Sequence, residues 1–547
     1  MAKQLQARML LSGDEAVALA ALNAGVLLGT GYPGTPSTEI LEAFGALGGK
    51  AQWAPNEKVA LEVGLGAAFG GARALVTMKH VGVNVAADVL FTAAYTGVTG
   101  GLILVSADDP GMASSQNEQD NRHYARAAGV IMLEPADSQQ AYDFTGAGFA
   151  ISEQFGLPVI LRMTTRVCHS KSIVEQKPLP QPAAAPSFQR DIPARVMIPA
   201  HARPAHRRLR DKLAQVAAYA ESCAQTLVEP RGKALGIITS GITAMHVRDA
   251  APEASVLQLG VSYPLPLNAI REFVASVERC LVIEEGDPIL VTELLAAGLK
   301  VEGKSERFRF GELNVDRVRR IIARDESEEA PAPRGKPPML CEGCSHRPVF
   351  ETLRDLNCIV AGDIGCYTLG VLPPFSAMDT CVCMGASITV GLGLRHVLPE
   401  AEARRVVSVI GDSTFMHSGL TGLAEMVYNP PATGHVVMIL DNGTTAMTGQ
   451  QEHPGTGRDL RHEPTHKINF EEVCRAMGLK QVVTVDPLAG DGALATTVSA
   501  ALASGELAVI VARRPCILAA PKIRQYDKAA AEKLLARNAA CSAAVTE

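Results

Sequence analysis

The chain has 547 residues, 47% of them hydrophobic, and a net charge of −6, so it can bury several cores and is expected to form two to four domains. A charge this small for the length gives no basis for nucleic-acid binding. No run of roughly 18 or more apolar residues offers a membrane span. The start, Met-Ala-Lys-Gln-Leu-Gln-Ala-Arg, has no apolar core of the kind a signal peptide needs, which points to the cytoplasm. In that compartment the 12 cysteines read as reduced thiols or metal ligands, not as a disulfide framework. Aromatic residues are few, with Trp53 the one tryptophan, as suits helix-covered parallel sheets.

In chain order, the first region alternates strand and helix signals. Gly25 to Gly31 reads as a strand that ends in the turn Tyr32-Pro33-Gly34-Thr35-Pro36, with Ser37 placed to cap the next helix. Asn56 is placed to cap a helix from Glu57 to Gly71, and Ala72 to Met78, Gly101 to Ser106 and Pro158 to Arg162 read as further strands. The turn offers a hydroxyl and backbone amides at a helix start, a setting that favours an anion such as the carboxylate of a 2-oxo acid; a rigid proline turn with a capping serine reads equally well. A proline-rich stretch from Lys171 to Arg210 reads as a linker. The middle region has strands at Ala234 to Ser240, Ser255 to Leu259 and Leu281 to Glu285, and helices at Thr243 to Ala250 and Pro288 to Ala297. It shows no chemical constellation and is expected to scaffold or to contact another subunit. A second linker, acidic and then proline-rich, spans Asp325 to Pro338.

The third region holds two strand-end motifs. Val406 to Ile410 leads into Gly411-Asp412-Ser413, and Val436 to Leu440 leads into Asp441-Asn442-Gly443-Thr444. Polar residues at the C-terminal ends of parallel strands lie where open α/β sheets bind ligands. A carboxylate and an amide oxygen there are hard ligands for a magnesium ion that also holds phosphates. The spacing resembles the diphosphate motif of thiamine diphosphate enzymes, with Ser413 in place of a glycine and Asp441 in place of an asparagine. That resemblance makes Asp412 and Asn442 magnesium ligands, with the backbone oxygen of Thr444 as a third. Such a site also needs a carboxylate to exchange a proton with the cofactor's aminopyrimidine. Glu57, at the start of a small-residue helix, suits the task, with Glu62 as its rival; a solvated first-turn glutamate is the plain alternative. Four cysteines form a second constellation: Cys341 and Cys344 in a Cys-x-x-Cys, Cys366, and Cys516 after a strand from Ala508 to Ala512. They can hold a [4Fe–4S] cluster or a structural zinc, and their spacing does not choose. The remaining cysteines read as simple buried thiols, except Cys541 in an exposed tail.

Longer stretches carry a family resemblance. Gly31 to Ser37, Asn56 to Leu61, Met78 to Gly82, Asn84 to Asp88, Ser106 to Gly111, Ser114 to Asp120, Gly362 to Gly370, Gly411 to Phe415 and Asp441 to Gln450 resemble, in order, the large subunit of indolepyruvate:ferredoxin oxidoreductase. The fold that this implies is α/β, with three doubly wound parallel-sheet domains: two of thiamine-diphosphate-binding type, pyrimidine and diphosphate, and one resembling the C-terminal domain of transketolase. The layout would be a pyrimidine-type domain at residues 1–175, a proline-rich linker and helix at 176–230, the transketolase-like domain at 231–325, a linker at 326–338, the diphosphate and magnesium domain at 339–525, and a C-terminal helix and tail at 526–547.

The resemblance also implies an activity: oxidative decarboxylation of an arylpyruvate, with coenzyme A accepting the acyl group and electrons leaving one at a time through a [4Fe–4S] cluster on Cys341, Cys344, Cys366 and Cys516. Thr35 matches the threonine that holds the substrate carboxylate, whereas residues 107–109 lack the arginine used by relatives with smaller substrates. Gly365, Tyr367, Gly411 and Ser413 fall at cofactor-contacting positions, and His80, His346 and His417 are candidates for substrate or proton-transfer roles. The family's large subunit ends in a ferredoxin-like module of repeated cysteine motifs that this sequence does not show, so electrons are expected to leave through a partner. The expected partners are a smaller β/γ-type subunit and ferredoxin or another acceptor, in an assembly of two heterodimers. A non-redox thiamine diphosphate lyase or carboligase on the same scaffold is the alternative enzyme, and a structural subunit without cofactor the alternative class.

Overall fold

Long runs of Val, Ile and Leu, buried on both faces, build the three main sheets of the computed structural model, which describes residues 8–182, 184–329, 337–529 and 531–532. Contacts divide the chain into two compact units, Met1–Pro331 and Ala332–Glu547. Cys541 and most of the expected C-terminal tail lie outside the described residues.

The first unit contains a seven-stranded sheet in the order Val261–Tyr263, Ile131–Leu133, Val159–Thr164, Leu102–Asp108, Ala74–Lys79, Leu28–Gly31 and Ala51–Trp53. All neighbours are parallel except the first pair, so helices must cross over between strands and cover the faces. The edge strand Val261–Tyr263 belongs to the middle region, which the sequence reading had kept apart from this sheet. A five-stranded sheet forms the rest of the middle region, ordered Glu302–Gly303, Arg279–Val282, Leu235–Thr239, Ser255–Leu259 and Thr226–Glu229, the last antiparallel. The expected strand at Leu281 to Glu285 stops at Val282, and Glu284 and Glu285 lie beyond it.

The proline-rich stretch is more structured than a linker. Lys171–Glu175 pairs with Arg8–Ser12 in a small antiparallel sheet, and Pro199–Ala220 is a 22-residue helix. Its buried residues Ala205, Leu209, Leu213, Val216 and Ala220 recur at helical spacing and form one apolar stripe. Pro199 sits at the first helical position, where its missing N–H costs nothing. The helix expected within 176–230 thus starts at Pro199, inside the stretch read as a linker.

The first unit also buries a network of charges. Arg162 pairs with Asp108 and Glu134, each at 2.7 Å, and Arg122 pairs with Asp120 and Glu284, each at 2.6 Å. The Arg122–Glu284 pair joins the first region to the middle one. Glu285 accepts from the Leu313 amide at 2.8 Å, while its other oxygen has no partner. Burial therefore pushes its carboxyl up to about 7.

Because this value lies above the ordinary 4.5, folding loses stability as pH rises between the two, and the cost is complete above the higher one. Glu285→Gln is expected to stabilise the unit by roughly 1–3 kcal/mol at pH 8 and to change little at pH 4.5. Thermal unfolding followed by circular dichroism at both pH values checks this; equal shifts at the two would exclude it.

The second unit is a six-stranded, fully parallel sheet in the order Thr380–Cys381, Ile359–Gly362, Val406–Gly411, His435–Asp441, Leu507–Arg513 and Gln481–Val485. Its two faces pack against helices around separate apolar cores, one centred on Phe350, Val409 and Met438, the other on Phe415, Ile439 and Phe470. No helix among the described residues is long and apolar enough to cross a membrane.

Candidate active site

In the second unit the functional residues follow from strand register. Gly411 lies opposite Leu440, so the next residues, Asp412 and then Asn442, emerge side by side at the sheet's C-terminal edge. Asp412 is buried; its Oδ1 accepts from the Ser413 amide and its Oδ2 from the Gly443 amide, both at 2.8 Å. Asn442 Oδ1 accepts from the Thr444 amide at 3.1 Å. These oxygens keep further lone pairs and are hard donors of the type that suits magnesium. The neighbouring Asp441 is not available in this way. Its Oδ2 accepts from Arg513 Nε at 2.7 Å, and Arg513 also pairs with Glu471 at 2.8 Å. Burial and the nearby Asp412 push the Asp441 carboxyl up, against the pull of Arg513. Burial would raise Asp412 too, but His453 and the backbone donors overcome it and hold Asp412 low. His453, whose Nε2 lies 3.3 Å from Asp412 Oδ2, was not singled out in the sequence.

Tyr367 sits beneath this edge. A Cβ on Gly411 or Gly365 would fall 2.5 or 2.4 Å from its ring, so both glycines are needed for the close approach. The Tyr367 hydroxyl donates to the Ile364 carbonyl at 2.7 Å and lies 3.2 Å from Thr414 Oγ1. His346 packs edge-on to the same ring, with Nε2 3.4 Å from Asn442 Nδ2. Burial lowers it to about 4, so it is neutral at pH 7. Ser413 Oγ accepts from Thr445 Oγ1 at 2.9 Å. His417 lies in a π-helical turn, Phe415–Gly419, with Nδ1 2.7 Å from Ser418 Oγ; such turns recur at functional sites.

The four singled-out cysteines come together in the same unit. Cys366 is raised to about 11 by burial and then by the neighbouring Cys516, Cys344 and Cys341. Cys344 is raised by burial, with Cys341 and Cys516 adding to it. Gly343, between the first two, has φ +73°, a left-handed turn residue. The Cys516 amide donates to the Asn442 carbonyl at 2.8 Å, which ties this cluster to the magnesium-type edge.

In the first unit, Asn56 caps the helix Glu57–Phe69, accepting from the Val59 amide at 2.9 Å. Glu57 is only 5% exposed, whereas its rival Glu62 is exposed and paired with Lys58. The Glu57 carboxylate rests against Gly82, where a Cβ would come within 2.5 Å of Cγ and 2.7 Å of Oε1. Gly82 lies in the first turn of the helix His80–Thr96. His80 is buried, its Nε2 3.1 Å from the Asn117 carbonyl and its own carbonyl accepting from Gln119 and Asn121. The ring therefore fastens the loop after Leu102–Asp108. Thr35 is half-buried and follows Gly34, which packs against Lys79 just before this helix. The turn around it differs from expectation: Ser37 does not cap the helix Thr38–Ala46. Its hydroxyl donates to the Gly34 carbonyl at 2.8 Å, and the Gly34 amide is taken by Thr38 Oγ1 at 2.9 Å. The anion-binding reading of that turn loses the Gly34 amide. A cation unmarked in the sequence stands next to it. Lys79, buried against Gly34, donates to Ser114, and burial lowers it to about 8.

Two families match the chain: "Pyruvate flavodoxin/ferredoxin oxidoreductase, thiamine diP-bdg" over residues 19–221 and "Thiamine pyrophosphate enzyme, C-terminal TPP binding domain" over residues 363–512. The indolepyruvate oxidoreductase subunit IorA of Methanothermobacter thermautotrophicus is 39% identical over 94% of this chain and 88% of its own. The IorA of Archaeoglobus fulgidus is 38% identical over 95% of this chain and 88% of its own. The chain belongs to the IorA family of indolepyruvate oxidoreductase subunits. It is a subunit of a thiamine-diphosphate-dependent 2-oxoacid oxidoreductase. A solved 2-oxoglutarate:ferredoxin oxidoreductase from Magnetococcus marinus shares the fold, with TM-score 0.51 and 17% identity over 59% of this chain and 66% of that one.

The contact between Gly82 and Glu57 makes a test available in this IorA-family chain. Gly82→Ala places a methyl where the Glu57 carboxylate lies. The overpacking against the buried Glu57 costs ~1–3 kcal/mol and alanine regains ~1 kcal/mol in a helix, so the thermal midpoint is expected to hold or fall only slightly. Turnover is expected to fall on the order of tenfold or more, since a misplacement of about 1 Å can cost that and more. Assay and melting curve on the same sample check it.

Proposed function

We propose that this chain is the thiamine-diphosphate-bearing catalytic subunit of an arylpyruvate oxidoreductase, with indolepyruvate as the substrate type. The reaction is oxidative decarboxylation to an acyl-coenzyme A. Electrons leave singly through one [4Fe–4S] cluster and a smaller partner subunit to ferredoxin or another acceptor, in an assembly of two heterodimers. The observation that carries the reading is the convergence of four thiols on the strand edge that bears Asp412 and Asn442, joined to it by the Cys516–Asn442 backbone hydrogen bond.

The donor set favours a cluster over zinc. A tetrahedral zinc thiolate site needs sulfurs roughly 3.8 Å apart, from Zn–S bonds of about 2.3 Å. Among the described residues no three cysteine sulfurs lie within 4.8 Å of one another, although the thiols are close enough to raise each other's pKa. A [4Fe–4S] cluster would be held by four thiolates spread more widely than a single zinc ion allows. Binding would displace the protons of the Cys344 and Cys366 thiols, both pushed up by burial.

Asp412, Asn442 and the Thr444 carbonyl would hold magnesium, with Gly365, Tyr367, Gly411 and Ser413 shaping the diphosphate side. When bound, thiamine diphosphate supplies the carbanion equivalent and electron sink that decarboxylation requires. Glu57, buried and fixed by Asn56 and Gly82, would hold and return a proton at the aminopyrimidine. Thr35 would orient the substrate carboxylate. His346, neutral by burial, is poised to accept a hydrogen bond, while His80 and His417 would position loop and helix around the substrate.

Anaerobic purification with the native partner, followed by iron and acid-labile sulfide analysis, tests the redox assignment. About four of each per chain, beyond those of the partner, is the expected result; none, with thiamine diphosphate still bound, would favour the non-redox lyase. Glu57→Gln is expected to retain the cofactor and lose turnover by on the order of a hundredfold or more, and near-normal turnover would remove Glu57 from this role. Asp412→Ala is expected to weaken magnesium and thiamine diphosphate together, and calorimetry showing unchanged cofactor affinity would reject that ligand.

A further inference from the structure

Asp14 lies in the first turn of the helix Gly13–Asn23, but it does none of the capping. Ser12 and Glu15 do that reciprocally, at 3.1 and 2.8 Å. A Cβ on Gly13 would fall 2.2 Å from the Val167 carbonyl, so this helix start is pressed directly against the backbone of the helix Thr165–His169. That packing drives the Asp14 side chain inward, to complete burial. Apart from the thiol of Cys168, a weak donor, neither carboxylate oxygen has a hydrogen-bond partner. No Lys or Arg among the described residues pairs with it; its main charged neighbour is Glu39, another carboxylate.

A buried carboxylate with no donor and a second carboxylate beside it costs several kcal/mol if ionised. It is tolerable either as the protonated acid or with a cation between the two. The third member of the group favours a cation. His169, the last residue of its helix, brings a ring nitrogen to the cluster, and one ligand atom each from Asp14, Glu39 and His169 lie within 4.8 Å of one another. Glu39 and His169 are exposed, which gives an ion a path in and leaves room for water to complete its shell.

We propose that Asp14, Glu39 and His169 form a binding site for one divalent transition-metal ion. Two carboxylates and an imidazole suit Mn²⁺, Fe²⁺, Co²⁺ or Zn²⁺, whereas magnesium and calcium prefer oxygen alone. The ion would clip the starts of the helices Gly13–Asn23 and Thr38–Ala46 to the end of Thr165–His169. Thr38 also holds the Gly34 amide, so the clip would brace the turn that carries Thr35.

Mn²⁺ is the probe of choice, because thiolates bind it poorly. The full-length chain, with any subunits that co-purify, is stripped with chelator in an Asp412→Asn background that removes the expected magnesium ligand. Free Mn²⁺ is then counted by electron paramagnetic resonance. The expected result is one Mn²⁺ per chain, with affinity falling at least about tenfold when Asp14→Asn or His169→Gln is added, and with Zn²⁺ displacing it. Unchanged binding in both variants, or no binding at millimolar Mn²⁺, would overturn the proposal. Should Asp14→Asn fail to fold, judged by circular dichroism, the exposed His169→Gln decides alone.

Discussion

The parallel register of Val406–Gly411, His435–Asp441 and Leu507–Arg513 is the constraint on which the second unit's chemistry depends. It sets Asp412 next to the Asp441-Asn442 pair and Arg513 opposite Asp441. Three neighbouring strand ends then divide the labour. One offers a buried carboxylate held low, the next an amide oxygen, and the third an arginine that occupies the competing carboxylate. A slip of one residue would turn every one of these side chains to the other face, so the apolar packing on both sides of the sheet fixes the polar site as well.

How much of this could be read from the chain depends on how local the signal is. Asp412 and Asn442 each come just after an apolar run, so the strand and the turn that follows it are encoded in one short stretch. The Asn56 cap on the helix that begins at Glu57 was legible for the same reason. What escaped reading were partnerships across long separations. His453 is marked by nothing in its neighbourhood and acquires meaning only beside Asp412. Lys79 looks like any strand-end lysine until Ser114 and Gly34 close over it. Arg122 and Glu284 are 162 residues apart. Ser37 shows the converse error: its local pattern is that of a cap, but the turn offers the Gly34 carbonyl, and the hydroxyl donates there instead.

Burial of charge recurs throughout the first unit, and the outcome is decided by pairing. Arg162 and Arg122 sit among four carboxylates with short, direct contacts, and of these Asp120 is held, against its burial, well below the usual carboxylate range by the two guanidinium groups. Glu285 and Asp14 lack a comparable partner, and burial pushes both carboxyls up. Removing one member of a paired set leaves an uncompensated charge, so this network behaves as a block. A cavity of about 570 Å³ opens beside it, lined by Asp108, Asp120, Arg162, Asp287 and Arg309.

The insertion of Val261–Tyr263 at the margin of the seven-stranded sheet has a consequence for how the molecule can be cut or rearranged. Without it, Ile131–Leu133 would present bare amide and carbonyl groups along an apolar border, a template for intermolecular pairing. A fragment ending before residue 261 would thus be sticky even if its own core formed. The first region acquires a protected rim only after more than half of this unit has been synthesised, which makes the nascent chain dependent on shielding until its late strand arrives.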